Sequence, residues 1–519
     1  MSVKDATNTT ELDEKIAALM TNMRAVKAVS SAVEGTIGPK GLDTMLVDGY
    51  GDVVITNAGV TILERMDVTH PAAKMMINIA KSQQEEIGDG TTTATIMAGS
   101  LISEGVEQVA KGVPVARIIE GIGLGIQEAL NVLESCSIPL DDFDNEILKK
   151  IAYIAGREHQ DIADLIVEAA NMIGIEKFKD QNFKFSDTVV AQAGAENEVF
   201  RGVLINKKRL NRQMPEKLKD VKVLLIDDEL KPEQLSEEAL ATETGFQRFM
   251  ELKNQFVNNL KKIQELGINL VLVDKGVEDF AEEFLTDSGI IVCSRVSKKD
   301  MRIVADHTNA RVIKRTGLNK SLDELKDSLG YAEEIFEDSK LKKMRLINGS
   351  GKSMATVLVG AATIEVVAER ERIAKDAASA VQATIKGGYV VGGGSVELAI
   401  SREVEKARER LKGMASYGLD CVVKALRKPV FQIILNAGFN PLEKIEDIIA
   451  KQIETEKFTY AIDCDTGECV DMIDKGVIDP YLVKYHAIKA AGEIAISILR
   501  IDTIIRMKKN QENPDLNNG

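Results

Sequence analysis

The sequence predicts a mainly α-helical protein that carries an α/β insertion. Apolar residues recur at helical spacing near both ends of the chain, while the middle holds short β-rich runs alternating with helical patterns. At 519 residues the chain is too long for one core, and about three or four domains are expected. A helical, then α/β, then helical order is what an insertion produces: an outer domain built from both chain ends, with the rest carried between them.

Leu12, Ile16, Leu19, Met23, Val26 and Val33 follow the 3.6-residue period, so residues 11–34 are predicted helical, ending at Gly35 and Gly38-Pro39. Thr44–Val47 and Asp52–Thr56 flank Asp48-Gly49-Tyr50-Gly51, a β-hairpin signal. Helices follow over 72–86 and 91–110. Val221–Ile226, Asn269–Val273 and Ile290–Cys293 are the β-rich runs, with helices over 246–266 and 276–288 between them. After about residue 355 the chain returns to helix, strongest over 395–412, 416–427 and 482–499. No internal repeat or glycine-serine linker interrupts it, and the polar tail from about Lys508 is expected to fray.

Composition narrows the function. The chain is 44% hydrophobic and 28% charged, as ordinary globular domains are. A net charge of −15 argues against nucleic acid as the main partner, because phosphate-backbone binding needs a basic face. No apolar run reaches the ~18 residues of a membrane span, and Met1–Ile16 lacks a signal-peptide apolar segment, so a cytoplasmic location is expected. The five cysteines (Cys136, Cys293, Cys421, Cys464, Cys469) are spaced like reduced thiols rather than a zinc site. The four histidines are scattered and form no triad.

The most informative segment is Gly88-Asp89-Gly90-Thr91-Thr92-Thr93, followed by a helical run. Glycines let the backbone approach a ligand, and a helix start presents free N–H groups to an anion. An Asp inside a phosphate-binding turn would repel phosphate unless a cation lay between them. The pattern therefore reads as a metal–triphosphate cradle, with Asp89 holding Mg²⁺ and Gly90, Thr91, Thr92 and Thr93 at the phosphates. An Asp-Gly turn with a Thr helix cap is the structural alternative. Thr36-Ile37-Gly38-Pro39-Lys40-Gly41 is a rigid glycine-flanked loop that can lie against a nucleotide, or simply a turn. Asp479 before Pro480 can be a helix cap, and Asp376 on a charged helix from about Ile364 to Ile385 can be a solvated acid.

The cradle, in the form GDGTTTAT, and the Thr36–Asp43 loop resemble the nucleotide signature of the chaperonins. Asp67-Val68-Thr69-His70-Pro71-Ala72, Val390-Val391-Gly392-Gly393-Gly394 and Asn436-Ala437-Gly438 extend the resemblance. Gly476-Val477-Ile478-Asp479-Pro480 and Ile498-Leu499-Arg500-Ile501-Asp502 carry it over nearly the whole chain. The likeness is to the archaeal and eukaryotic-cytosolic type (thermosome-like, group II), which has its own lid.

The resemblance implies a three-domain architecture: a helical equatorial ATPase domain (1–138 and 392–519), a small intermediate hinge domain (139–194 and 355–391) and an α/β apical domain with a helical lid protrusion (195–354). Val359-Gly360-Ala361-Ala362 would suit the hinge. It implies ATP and Mg²⁺ as cofactors, with K⁺ as a further candidate cation. Thr36, Gly38, Pro39 and Thr91–Thr93 would meet phosphate, Gly393 the adenosine, and Asp479 the ribose hydroxyls. Asp376 would be the catalytic carboxylate that orients the attacking water. Partners would be non-native client proteins and like subunits in two stacked rings, roughly eight per ring, with no nucleic acid and no membrane. The hairpin 44–56 and a terminal strand at 502–507 would pair between subunits. The stretch 231–254 would form the protrusion. There the apolar positions Phe246, Phe249 and Met250 are set against Phe256, Leu260 and Ile263, expected to pack on the domain's own sheet.

Two positions depart from the pattern. Thr56-Asn57-Ala58-Gly59 stands where similar chaperonins read Asn-Asp-Gly, so Ala58 replaces a second carboxylate near the attacking water. Slow hydrolysis, another group, or a residue changed from the natural one would each account for it. Arg157 stands where relatives often carry a Lys that senses the γ-phosphate, with a planar fork in place of a point charge. Two other functions are kept open: a ring-forming holdase with a weak or lost ATPase, and a monomeric ATP-dependent enzyme. For the last, the sequence offers no second set of acid, base and nucleophile.

Overall fold

The helical period of residues 11–34 belongs to a longer helix, α1 (Val3–Glu34), whose Leu19, Val26, Val29 and Val33 are buried. The computed structural model describes residues 3–140, 143–234, 236 and 242–503, with backbone alone at 3–15 and 365. These form two units: the described residues up to Arg157 together with those from Ser379 onward, and Glu158–Ala378.

In the first unit, α1 leads to the antiparallel hairpin β1 (Thr44–Val47) and β2 (Val53–Thr56), in register Thr44↔Thr56. The Asp48 carboxylate closes its turn by accepting from the N–H groups of Tyr50 and Asp52. Next come α2 (Gly59–Arg65), α3 (Pro71–Glu86), α4 (Thr91–Ala110), α5 (Val115–Ser135) and α6 (Asn145–Ala155). Proline at the first helical position and a His70 ring nitrogen accepting from the Ala72 N–H start α3. α4 is apolar nearly all round and buries Ile96, Met97, Leu101 and Ile102, as a central helix must. Each such side chain contributes roughly 1.5–3 kcal/mol of burial.

The second unit begins with α7 (Gln160–Ile173) and α8 (Ile175–Phe178). It is built on a nine-stranded sheet. Its strands and helices run β3 (Val189–Ala193), β4 (Glu198–Ile205), β5 (Lys217–Ile226), α9 (Glu243–Glu265), β6 (Leu270–Val273), α10 (Asp279–Asp287) and β7 (Ile291–Cys293). They continue as α11 (Lys298–Thr308), β8 (Val312–Ile313), α12 (Leu322–Lys326), β9 (Gly330–Asp338), β10 (Lys343–Gly349), β11 (Ala355–Ala361) and α13 (Ile364–Gly387). The strand order is β3-β11-β4-β10-β9-β5-β6-β7, with β8 beside β5. The three runs predicted from sequence pair in parallel, β5 with β6 and β6 with β7, and β6 and β7 are buried on both faces. The antiparallel strands β4, β9 and β10 were not expected, because charged residues such as Glu198, Glu334 and Arg345 interrupt their apolar runs. Val359, Gly360 and Ala361, expected at a hinge, end strand β11 and pair in parallel with Ala191, Gln192 and Ala193.

On α9, Phe256, Leu260 and Ile263 enter the core of this unit, whereas Phe246 and Met250 are exposed. Residues 235 and 237–241 of the expected protrusion lie outside the described residues.

The chain then completes the first unit with β12 (Tyr389–Val391), α14 (Ser395–Arg410), α15 (Ser416–Asn436), α16 (Pro441–Thr455), β13 (Tyr460–Ile462), β14 (Cys469–Asp471), β15 (Ile478–Pro480) and α17 (Tyr481–Leu499). The sequence stops α15 at 427, yet the helix runs through Pro429. Val430 and Ile434 beyond it are buried in a small apolar cluster, which holds the helix across the missing N–H. Of the expected terminal strand, Asp502 and Thr503 are described and lie in no strand; residues 504–507 lie outside the described residues.

Candidate nucleotide site

The turn between α3 and α4 is set by local chemistry. Gly90 is the N-cap of α4 with φ 78°, and a β-carbon there would meet Val483 Cγ1 at 2.6 Å, so only glycine fits. Gln83 donates from Nε2 to the carbonyls of Asp89 (2.8 Å) and Val483 (3.3 Å). The first N–H groups of α4, at Thr91, Thr92 and Thr93, start a 20-residue helix and attract an anion. Asp89 Oδ1 accepts from the Gly90 N–H at 2.6 Å. Asp89 as a residue keeps partial exposure. The protein packed around its carboxylate raises its pKa, with Asp479 adding to the rise and the Gly90 N–H, Lys484 and Arg157 opposing it.

The glycine run and Asp479 come together through the short β12–β15 pair, in register Val390↔Asp479. A β-carbon on Gly392 would lie 3.1 Å from Asp479 Oδ2. Asp479 therefore sits in a strand, with Pro480 as the N-cap of α17, rather than capping that helix itself. Lys484, in the first turn of α17, donates to Asp479 Oδ2 (2.8 Å) and to Glu397 Oε1 (2.6 Å). Burial acts to lower the Lys484 pKa, but the two carboxylates outweigh it and hold the ammonium well above its ordinary value.

The loop at Thr36–Gly41 is fixed from α15. Asn436 donates from Nδ2 to the carbonyls of Glu34 and Ile37, and Ile433 packs under Gly38. Val430 of the same helix packs against Gly394. Gly38 and Gly394 thus rest on one helix about one turn apart, which brings the two loops to one region of this unit. Thr36 spends its hydroxyl on the Val33 carbonyl at 2.9 Å, leaving Gly38 and Pro39 exposed. Arg157, with φ 52°, is close enough to act on the Asp89 carboxylate.

Thr36, Gly38, Pro39, Asp89, Gly90, Thr91, Thr92, Thr93, Arg157, Gly393 and Asp479 all belong to the first unit. Asp376 belongs to the second, on α13, and pairs with Arg372 at 3.3 Å; Arg372 also pairs with Glu369. Ala58 is buried at the N-cap of α2 and offers no side-chain cap.

Sequence reasoning missed Gln83, Glu397 and Lys484, and it gave Asn436, quoted for the resemblance, no role. Glu397 within Ser-Val-Glu-Leu-Ala-Ile and Lys484 within Tyr-Leu-Val-Lys-Tyr are single charges in apolar helix starts, which is the signal of a buried pair.

Among the described residues no group of three or more His, Cys, Asp and Glu is placed to hold a metal. A cation at Asp89 would have one protein carboxylate and would complete its shell with phosphate oxygens and water. Mg²⁺ in nucleotide sites is held in this way, so the donor set fits a Mg²⁺–nucleotide rather than a closed protein site.

A model of the TCP-1/cpn60 chaperonin family matches residues 29–509. A thermosome subunit of Pyrococcus abyssi is 35% identical over 517 residues, covering 96% of this chain and 92% of its own. A thermosome subunit beta of Archaeoglobus fulgidus is 36% identical over 505 residues, covering 94% and 91%. A crystal structure of a group III chaperonin in the open state matches with a TM-score of 0.84 and 46% identity, over 95% of this chain and 100% of that one. The identity to that chain exceeds the identity to either thermosome subunit.

Proposed function

The chain belongs to the TCP-1/cpn60 chaperonin family and acts as an ATP-driven, thermosome-like chaperone subunit of a double-ring chamber, and we propose how its residues divide that work. ATP–Mg²⁺ binds between Thr36, Gly38 and Pro39, the Asp89–Thr93 turn, Gly393 and Asp479. Asp89 holds the metal, the start of α4 holds phosphate, and Asp479 accepts from the ribose. K⁺ is a candidate second cation. The observation that carries this reading is the Asp89 carboxylate bonded to the Gly90 N–H at the head of α4, with Asp479 near enough to raise its pKa.

Arg157 senses the γ-phosphate, and Asp376 orients the attacking water in the closed state. Carrying that carboxylate on the intermediate hinge domain would couple hydrolysis to closure. The equatorial domain is assigned to 1–138 and 392–519, the intermediate domain to 139–194 and 355–391, and the apical domain to 195–354. A lid from the 231–254 stretch shuts over a non-native protein, with exposed Phe246 and Met250 as the apolar face it meets. The subunits are assigned to cytoplasmic rings of roughly eight. Among the described residues no helix is long and apolar enough to cross a membrane.

Ala58 favours a second reading, a ring-forming holdase whose ATPase is weak or lost. Steady-state ATP hydrolysis by the size-selected assembly, with refolding yield measured with and without ATP, separates the two. Turnover abolished by Asp376→Ala, with ATP-dependent yield, supports the foldase. Bound but unhydrolysed ATP, with ATP-independent protection of clients, supports the holdase.

A further inference from the structure

Lys484 and Glu397 are not among the nucleotide contacts assigned above, yet they are the most enclosed charges near Asp479. The Lys484 side chain is 11% exposed and that of Glu397 1%. Burying an ion pair is costly and seldom worthwhile for stability alone. The geometry shows what it accomplishes here. Asp479 has its backbone set by the β12–β15 register, but its side chain is free to turn about χ1 unless something holds it. Lys484 Nζ takes Asp479 Oδ2 at 2.8 Å, while Asp479 remains 24% exposed. Among the described residues no donor is assigned to Oδ1, so one oxygen is committed inward and the other is left as an acceptor. Glu397 holds the ammonium through Oε1 at 2.6 Å, and its Oε2 is buried with no hydrogen-bond partner. A carboxylate kept in that condition is maintained by its one bond to Lys484.

We infer that Lys484, held by Glu397, is a positioning residue that aims the Asp479 carboxylate at a ribose hydroxyl and thereby sets the preference of the site for ribonucleotides. This rests on the assignment of Asp479 to the ribose. A site built to accept from a hydroxyl discriminates strongly against the analogue that lacks it, provided the acceptor is held in place.

The test is calorimetric binding of ATP and of 2′,3′-dideoxy-ATP, each with Mg²⁺, to the intact assembly. The parent protein is compared with Asp479→Ala and with the double variant Glu397→Gln/Lys484→Met. The double variant leaves no uncompensated buried carboxylate at 397, which Lys484→Met alone would leave. The parent is expected to prefer ATP by roughly 10- to 100-fold, the worth of a hydrogen bond to a charged acceptor. The double variant is expected to lose most of that preference while binding dideoxy-ATP within about threefold of the parent, a pattern that general loosening would not give. A double variant that keeps the full preference overturns the inference while the ribose assignment stands. An Asp479→Ala protein that keeps the preference overturns the ribose assignment, and the inference with it.

Discussion

A β-carbon built on Gly59 would lie 2.4 Å from the Thr92 hydroxyl oxygen, so the start of α2 is in direct contact with the first turn of α4. Ala58, the residue before it, is therefore next to the N–H groups assigned to phosphate. Its backbone N–H already donates to Thr56 Oγ1 at 3.1 Å, which fixes the approach of the chain. A carboxylate at this position would both cap α2 and enter the site. Ala58→Asp is expected to raise kcat for ATP hydrolysis by at least about tenfold, since a positioned base is worth about 10²–10⁴. An unchanged kcat under saturating Mg–ATP would count against any catalytic role for position 58.

Asp376 makes the opposite case. Its ion pair with Arg372 is a helical i,i+4 contact, and Arg372 keeps Glu369 as a second partner. Losing that pair should cost less than about 1 kcal/mol of stability. Asp376→Ala is expected to bind Mg–ATP within about threefold of the parent while kcat falls at least about 100-fold. Loss of nucleotide affinity in parallel with kcat would instead mark Asp376 as a binding group.

His307 predicts an acid-labile second unit. It is 1% exposed on α11, and its Nε2 accepts from the Gly349 N–H at 2.9 Å. Burial pushes the imidazole from its ordinary 6.5 down to about 4, with Arg201 adding to the fall and a backbone hydrogen bond at Lys352 opposing it. The unfolded chain takes up a proton near 6.5 that the folded chain refuses until about 4, so stability is lost as pH falls through that window. The loss approaches roughly 3 kcal/mol at the acid end. Thermal melts between pH 7.5 and 4.5 should fall more steeply for the parent than for His307→Gln. Equal slopes would show that other groups govern the acid transition.

The sequence exposed those parts of the molecule where one residue type does one job. The Gly-Asp-Gly turn, the hairpin around Asp48 and the apolar strands β6 and β7 each follow from local chemistry or from burial on two faces. Strands β4, β9 and β10 were hidden because their charged residues, among them Glu198, Glu334 and Arg345, find partners in other strands: Arg345 reaches both Glu198 and Asp338. Asp479 read equally well as a helix cap, and only the pairing with Val390 settles it as a strand residue. Glu397 and Lys484, and the role of Asn436, escaped because each acts on a residue from another element, which a single sequence does not reveal.

Asp89 carries the prediction that most directly separates stability from function. Burial holds its pKa above the ordinary 3.8. The unfolded carboxylate ionises near 3.8 while the folded one ionises later, so above that range the folded protein bears a charge it disfavours, and stability declines as pH rises through the window. The cost grows as pH rises above that value when no cation is bound. Asp89→Asn keeps an oxygen that can accept from the Gly90 N–H and removes the charge. The nucleotide-free variant is therefore expected to melt a few degrees higher than the parent at pH 7.5, with the difference vanishing toward pH 4. Mg²⁺ should stabilise the parent in the presence of ATP and leave the variant unmoved, because the variant has lost the carboxylate assigned to the metal. A lower melting temperature at pH 7.5 would mean that the ionised carboxylate, rather than the metal it is assigned to hold, is what the fold requires. An undiminished Mg²⁺ response would move the metal to another ligand.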